Sequence, residues 1–476
     1  MTEVTKNNYC MLINGEKVTT EQQLHVINPA TEEVIAYVPV ATKEHLNSAV
    51  EAARNALPSW SAKSLEERAK LISNFAQKIL EKKEELAQLL TMEQGKPIHF
   101  ASAELDMAVH WCTEIAKYDL KSEIIEETDR YIVEKSYAPV GVVAAIVPWN
   151  FPILLTMFKA PAALLSGNTI IIKPSPYTPL STLLLGELAQ QIFPPGVFNV
   201  LSGDDHLGPW ITEHPNIDKV SFTGSSATGK KVMQSAATNL KRVTLELGGN
   251  DAAIVLPDVN PKEIAPKLFW AGFMNSGQVC INAKRFYIHK DIYEDVLNEL
   301  VTIAKTIKVG NGLDSDSLLG PVQNKAQYEK VKSLIADAQK EGVHFALGGE
   351  VEVENEAGYF IPITIADNPP ENSRIVTEEP FGPVIPLLKY EDYDDVIERA
   401  NNSNYGLGSS VWGKDIELAK TIAQRLQAGT TWINECAVLS PTVPFGGHKQ
   451  SGIGFENGLD GLKEYTLSKI IRINKG

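Results

Sequence analysis

Up to about residue 140 the chain is polar and helical in rhythm. Thr42 to Leu57 and Ser64 to Leu90 carry apolar residues at helical spacing among charges, with Thr42 and Ser64 placed as N-caps. The stretch before them reads as surface strands. From Gly141 the pattern changes to short Val/Ile-rich runs alternating with amphipathic stretches. GVVAAIV leads to ILLTMFKAPAALL, TIIIK to TPLSTLLLGELAQQIF, VFNVLS to a short helix, KVSF to SATGKKVMQSAA, and VTLEL follows. Strands that are apolar throughout need cover on both faces, which predicts a parallel sheet wrapped by helices. A second alternating section follows, with IAPKLFWAGFMNSG helical, KRFYIHK a strand, DIYEDVLNELVTIAKTI helical and alternation to about Trp432. NNSNYGLG, Asn401 to Gly408, reads as loop. The expected fold is α/β: two doubly wound domains facing each other across a cleft. Tyr131 to Tyr137 and Tyr465 to Ile473 are left over as amphipathic strands without a local partner, free to pair with each other or with another subunit.

In doubly wound sheets ligands sit outside the carboxyl ends of the strands. Here those ends carry Pro148-Trp149-Asn150, Lys173-Pro174-Ser175, Ser202-Gly203, Thr223-Gly224-Ser225 and Glu246-Leu247-Gly248-Gly249. Helix and strand propensities do not force polar and glycine-rich residues onto one edge, so the alignment points to a nucleotide-sized site.

Composition narrows the class. The chain has 476 residues, 43% of them hydrophobic, enough for a large core and more than one domain. Its net charge of −15 and lack of a basic stripe exclude nucleic acid as the expected partner. The N-terminus has no apolar signal core, and the apolar stretches Val142 to Val147 and Ile153 to Leu165 are bounded or broken by Pro, Lys or Gly, so neither secretion nor membrane insertion is expected. Cys10, Cys112, Cys280 and Cys436 are widely spaced without a C-x-x-C pair, which fits a reducing cytoplasm better than a disulfide framework or a zinc site. The nine histidines form no H-E-x-x-H, and no metal is expected.

Cys280 ends the stretch Asn275-Ser276-Gly277-Gln278-Val279-Cys280. Taken alone, a cysteine is more often inert core than nucleophile. Gly277 and its polar neighbours suggest close approach of backbone to a ligand, and a thiolate can add to a carbonyl and later leave as a thioester. Glu246 could serve as its partner or as a water-activating base, against the plainer reading of a solvated turn carboxylate. Asn150 offers a neutral donor suited to an oxyanion, although Asn is also common in turns. Lys173 could bind ribose hydroxyls or phosphate, or simply snorkel from a strand end. Gly224 to Lys231, GSSATGKK, nearly spells a P-loop, but Lys231 stands where the magnesium-binding hydroxyl belongs. A glycine-led helix start still attracts a pyrophosphate.

Seven blocks taken together resemble the aldehyde dehydrogenase superfamily: PWNFP at Pro148, KPS at Lys173, FTGS at Phe222, ELGG at Glu246, GQVC at Gly277, EEPFGP at Glu378 and PFGGHKQSGIG at Pro444. The resemblance runs from Ile27-Asn28-Pro29-Ala30-Thr31 to Glu464-Tyr465-Thr466. It implies a Rossmann-like cofactor-binding domain (1–122 and 139–247), a Rossmann-like catalytic domain (248–448) and a small β oligomerisation element (123–138 and 449–476). It also implies oxidation of a small-molecule aldehyde to the acid with NAD, or possible NADP, by a homodimer or homotetramer. Cys280 would be the nucleophile, Glu246 the general base, and Asn150 with the Cys280 N–H the oxyanion hole. Lys173 would bind the adenosine ribose, Gly224 and Ser225 the pyrophosphate region, and Glu379 with Phe381 the nicotinamide ribose. Trp149, Ser175, Pro176, Gly203, Phe222, Leu247 and Gly248 would complete the cofactor contacts.

Departures from the family pattern carry information. Pro176 stands where many NAD-preferring relatives have a Glu that repels a 2′-phosphate, which leaves NADP open. Phe158 stands where succinate-semialdehyde dehydrogenases place an Arg for the substrate carboxylate. With Leu154, Leu155, Val279 and Ile281 it makes an apolar pocket the expectation, and hence an uncharged aliphatic or aromatic aldehyde. Phe455 replaces an Arg common in relatives, a change that nothing in the sequence explains. Rival readings are a semialdehyde dehydrogenase, a CoA-acylating dehydrogenase, a P-loop phosphotransferase and a non-catalytic binding protein.

Overall fold

A computed structural model describes residues 9–350 and 357–476. The first eight residues, read above as part of a leaderless N-terminus, lie outside the described residues. The five predicted strands Val142–Ile146, Thr169–Lys173, Phe198–Val200, Lys219–Thr223 and Arg242–Glu246 run parallel in one sheet. Every residue of the first four is buried, as a sheet covered on both faces requires. The chain winds outward from Val142–Ile146 through Thr169–Lys173 to Phe198–Val200, then crosses to the other side of Val142–Ile146 with Lys219–Thr223. That reversal opens a crevice at the carboxyl ends of Val142–Ile146 and Lys219–Thr223.

The sheet is extended at both edges, to eight strands in all. Met11–Ile13 and Glu16–Val18 add on beside Phe198–Val200, and Gly452–Ile453 pairs with Arg242–Glu246. Met11–Ile13 is fully buried, against the expectation of surface strands, whereas Glu16–Val18 and most of Gln23–Ile27 do face solvent. The helices Lys43–Ser61 and Leu65–Glu81 start at Thr42 and Ser64, each with a reciprocal capping box. The stretch read as one helix from Ser64 to Leu90 is two, because Lys82 leaves helical geometry (φ −108°, ψ 15°) before Lys83–Gln94 begins.

The second domain is a seven-stranded sheet in the order His344–Leu347, Thr364–Asp367, Val384–Tyr390, Ala283–His289, Asp251–Val255, Gly408–Trp412, Thr430–Ile433. All but His344–Leu347 are parallel. Its first strand in chain order, Asp251–Val255, escaped the sequence reading because it follows the ELGG block after one residue and has no helix before it. The Asn401 to Gly408 loop contains a short strand, Tyr405–Gly406, paired with His448–Lys449. Four residues, 247–250, join the carboxyl end of Arg242–Glu246 to the amino end of Asp251–Val255. The cleft therefore lies between the carboxyl edge of one sheet and the amino edge of the other.

The two leftover strands find each other. Tyr131–Pro139 and Thr466–Asn474 pair antiparallel along their whole length, and Glu123–Glu127 adds a third strand. This small sheet leaves Ile124, Ile125, Ile470, Ile471 and Ile473 exposed. Among the described residues no helix is long and apolar enough to cross a membrane.

Candidate active site

Glu246 is the last residue of its strand and is buried, so it is not a solvated turn carboxylate. Neither carboxyl oxygen has a hydrogen-bond partner among the described residues. Burial first, and then the negative charge of Glu456, hold its carboxyl well above the usual range, with Lys159 opposing. Glu456 is itself a buried hub: its Oε1 accepts from Lys159 Nζ (2.5 Å) and from Ser221 Oγ (2.8 Å). A raised carboxyl of this kind is a stronger base, once ionised, than an exposed one.

Cys280 sits at the end of a strained loop. The helix Pro261–Phe273 gives way to a short turn, Met274–Gly277, in which Asn275, Ser276 and Gly277 all have left-handed φ (52°, 55° and 75°). Gly277 is obligatory on two counts. Its φ favours glycine, and a Cβ there would overlap the Gly382 carbonyl of the EEPFGP block. The loop is closed by Gln278, whose side chain accepts from the Gln323 N–H (2.9 Å) and donates to the carbonyls of Asn275 (3.0 Å) and Pro321 (3.3 Å). Burial pushes the Cys280 thiol up to about 12. Lys284 opposes this, while Glu379, Asp251 and Glu246 add to it.

Asn150 is held against the same loop, donating from Nδ2 to the Gln278 carbonyl at 3.0 Å. One amide proton of Asn150 remains for another acceptor. Behind it lies a buried ion pair, Lys96 Nζ to Glu104 Oε2 at 2.5 Å. Lys96 also donates to the Asn150 carbonyl (2.8 Å), and Glu104 Oε1 accepts the N–H groups of Ile153 and Leu154 (3.1 Å each) at the start of the helix Pro152–Leu165. The pair thus fixes the Asn150 turn and caps the helix that follows.

The EEPFGP block closes the far wall. The Phe381 ring meets Trp149 edge-to-face at 5.3 Å, and the turn is pinned by Lys330 on the Glu379 carbonyl and Gln327 on the carbonyls of Pro380 and Phe381. Glu379 Oε1 accepts from the Gly249 N–H (3.1 Å) and lies 3.3 Å from Lys284 Nζ. A Cβ on Gly248 would stand 2.6 Å from Glu379 Oε2, and one on Gly249 would stand 2.6 Å from the Cys280 carbonyl.

From this junction a cavity of about 490 Å³ runs along the carboxyl edge of the first sheet. Trp149, Lys173, Ser175, Pro176, Phe222, Gly224 and Ser225 all line it. Ser225 caps the helix Ser226–Ala236, its Oγ accepting from the Thr228 N–H at 3.2 Å. That helix starts directly after Gly224-Ser225, so GSSATGKK has no loop long enough to wrap a phosphate, and the P-loop reading fails. Lys173 is buried; among the described residues its Nζ hydrogen-bonds the Pro174 carbonyl (3.3 Å) alone, and burial lowers it to about 8 against the pull of Asp205 and Asp204. A buried, nearly unpaired cation in a cleft of this size fits the hydroxyls and phosphates of a dinucleotide. Leu247, Gly248, Glu379 and Phe381 lie outside the lining of this cavity; Glu379 stands against Gly248, and Phe381 against the lining residue Trp149. Gly203 is apart from the lining, packed on Leu207.

The model of the family described as "Aldehyde dehydrogenase family" matches residues 17–471. The chain belongs to this family. It is 39% identical to aldehyde dehydrogenase LUC3 from Fusarium sp, covering 98% of both chains, and 37% identical to phenylacetaldehyde dehydrogenase from Pseudomonas fluorescens, covering 97% of this chain and 95% of the other. A solved NAD+ complex of the Bacillus cereus aldehyde dehydrogenase superposes with a TM-score of 0.97 at 39% identity, over 99% of this chain and 98% of that one. Two Rossmann-like domains and an oxidoreductase acting on aldehydes follow from that membership.

Within this aldehyde dehydrogenase the surroundings of Cys280 are apolar. Val279, Ile281, Leu407, Trp432 and Phe445 form one buried cluster, with Phe151, Met274, Ala437 and Leu439 packed against it. Leu154 and Phe158 are buried in the larger core, Phe158 stacked on Trp111 at 5.1 Å, whereas Leu155 is half-buried. Sequence reasoning missed Phe151, Met274 and Leu439, and it missed the buried partners Lys96, Glu104, Lys159, Glu456 and Lys284. A lysine within the apolar run ILLTMFKAPAALL was the available signal, since a buried cation demands a partner.

Gly277→Ala is expected to cost more than about 1 kcal/mol from the left-handed φ alone, and more from the clash with Gly382. The thermal midpoint should fall and turnover should be lost; a stable, active variant would contradict the close approach of the two loops.

Proposed function

We propose that the protein oxidises an uncharged aliphatic or aromatic aldehyde to its carboxylic acid with NAD, through a thioester on Cys280. The observation that carries this reading is that Asn150 is bonded to the Gln278 carbonyl of the Cys280 loop, while the buried Glu246 carboxyl is close enough to act on the Cys280 thiol and apolar side chains pack around it. The Cys280 thiolate adds to the aldehyde carbon. The oxygen takes up the electron pair and is held by the free proton of Asn150 Nδ2 and the Cys280 N–H. As that oxyanion re-forms its carbonyl, the aldehyde hydrogen departs with its electron pair, leaving the acyl group on sulfur. A nicotinamide bound beside Glu379 and Phe381 supplies the hydride acceptor. Glu246 then takes a proton from water, the resulting oxygen attacks the thioester carbon, and Cys280 leaves with the bond electrons. A buried carboxyl close to the thioester supports hydrolysis over transfer to CoA.

Pro176 brings no charge to the cofactor cavity, and Asp205 is the single acidic residue in its lining. NAD fits this cavity, with NADP used less well but better than by relatives carrying Glu at the position of Pro176. The three-stranded sheet with its exposed isoleucines is the surface proposed to build a homodimer or homotetramer.

Cys280→Ala is expected to abolish turnover while NAD binding, read by calorimetry, survives. Because the Glu246 carboxyl is raised, thioester hydrolysis should accelerate as pH rises through its titration, and Glu246→Gln should slow hydrolysis and flatten that profile. Near-normal turnover by the alanine variant would overturn the mechanism.

Installing Pro176→Glu should lower the NADP/NAD ratio of kcat/KM. A ratio that is unchanged or higher would show that this position does not face the adenosine ribose.

The side chains packed around Cys280 are apolar, and the cation beside them, Lys284, is already paired with Glu379 and bonded to the Cys280 and Asn282 carbonyls. A substrate carboxylate desolvated there loses several kcal/mol, and even about 3 kcal/mol corresponds to roughly a hundredfold in efficiency. Succinate semialdehyde should therefore be a far poorer substrate than a neutral aldehyde of equal length. Equal kcat/KM values for the two would place the pocket elsewhere.

A further inference from the structure

Lys284 is buried to 4% side-chain exposure at the amino end of the strand Ala283–His289. Its ammonium donates to the Cys280 carbonyl at 2.6 Å and to the Asn282 carbonyl at 3.4 Å, and pairs with Glu379 at 3.3 Å. One side chain therefore touches both the nucleophile's own backbone and the carboxylate at the cofactor end of the cleft. Building on the function proposed above, in which Glu379 receives the nicotinamide ribose, we propose that Lys284 is a positioning residue coupling cofactor occupancy to the readiness of the Cys280 thiol.

The argument is one of charge compensation. A cation this deep needs an anionic partner, and without cofactor that partner is Glu379. A ribose hydroxyl donating to either carboxyl oxygen of Glu379 draws on the negative charge that Lys284 now shares with the Gly249 N–H, and so weakens the ion pair. Lys284, still anchored to the Cys280 carbonyl, is then left to compensate another nearby negative charge. The charged and titratable groups around Cys280 and Lys284 are few. Arg285 points away, its guanidinium committed to the carbonyls of Asn250, Arg399 and Ala400. Glu246 and Asp251 are buried carboxyls that burial holds above their usual range, Asp251 at about 7. Cys436, against the Ile281 carbonyl at 3.6 Å, is raised to about 12, and Tyr405, beside Gly248 and Glu379, is raised as well. Lys284 is the one group in this set that favours the Cys280 thiolate, and Glu379 is the largest of the charges that oppose it. Loosening the Lys284–Glu379 pair thus moves both influences in the same direction: thiolate forms when cofactor is present to receive the hydride.

Alkylation of Cys280 by iodoacetamide tests this, followed against pH with and without NAD and assigned by mass spectrometry to distinguish it from Cys10, Cys112 and Cys436. In the unmodified enzyme NAD should shift the profile to lower pH. In Lys284→Met, alkylation near neutral pH should slow by about tenfold or more, with the profile displaced to higher pH and the response to NAD lost; Lys284→Arg should restore part of it. Glu379→Gln should give the opposite result, faster alkylation without NAD, and that gain should vanish in the Lys284→Met background. A Lys284→Met profile and NAD response matching the unmodified enzyme would overturn the proposal. If that variant fails to fold, an unchanged profile in Glu379→Gln would do so. Alkylation reads the thiol directly, so this outcome is independent of whether Cys280→Ala retains turnover, the result that would defeat the proposed function.

Discussion

Two backbones come together beside Gly248 and Gly249, and the cleft depends on how closely they do so. On one side the Cys280 carbonyl, and on the other the Glu379 carboxylate, occupy the space that a Cβ on Gly249 or Gly248 would need. The same four-residue link joins the carboxyl edge of the first sheet to the amino edge of the second, so any widening would move Glu246 away from Cys280 as well. Ser451 locks this link: its carbonyl accepts from the Leu247 N–H (2.9 Å) and its Oγ donates to the Gly248 carbonyl (2.7 Å). The strand Gly452–Ile453 that follows pairs along Glu246 itself, so the C-terminal part of the chain fixes the geometry of the link. Two domains with separate cores are thereby held at one distance by backbone contacts that admit no side chain.

Each of the three groups proposed for the chemistry is backed by a buried Lys–Glu pair. Lys96–Glu104 sits behind Asn150, Lys159–Glu456 beside Glu246, and Lys284–Glu379 beneath Cys280. Such pairs contribute little to stability, since desolvation costs cancel most of their attraction, while removing one partner leaves an uncompensated charge at a cost of about 3–5 kcal/mol. They fix positions more than they add energy. Lys96 donates to the Asn150 carbonyl, and Glu104 accepts two backbone N–H groups of the following helix, so the oxyanion donor is held by charge-assisted bonds. Glu456, by contrast, acts on Glu246 through its charge, raising a carboxyl that burial has already raised.

The fold was legible where one local signal sufficed. Continuous Val/Ile runs announced the parallel strands of the first sheet, Thr42 and Ser64 announced two helix starts, and the polar strand ends marked the site edge. Asp251–Val255 was hidden because no helix separates it from the preceding strand, and Met11–Ile13 because three residues are too few to show a period. The buried pairs were illegible for a different reason. Lys159 and Glu456 are separated by 297 positions, and no periodicity links residues that meet only when the C-terminal segment folds back along the first sheet. Lys284 was read as the first polar residue of a strand, whereas its position at the amino end turns it back toward the loop that precedes it.

The sign of the charge around Cys280 also bears on what leaves the site. Glu246, Glu379 and Asp251 act on Cys280, the proposed nucleophile, Glu456 acts on Glu246, and Lys284 and Lys159 are already paired. In the reaction proposed here the substrate enters neutral and the product departs as an anion. In that reaction, a neutral aldehyde would be bound mainly through apolar contact, and hydrolysis of the thioester would leave a desolvated carboxylate among acidic side chains. The lack of an unpaired cation among the described residues there, which would disfavour a charged substrate, would in the proposed reaction also favour release of the product.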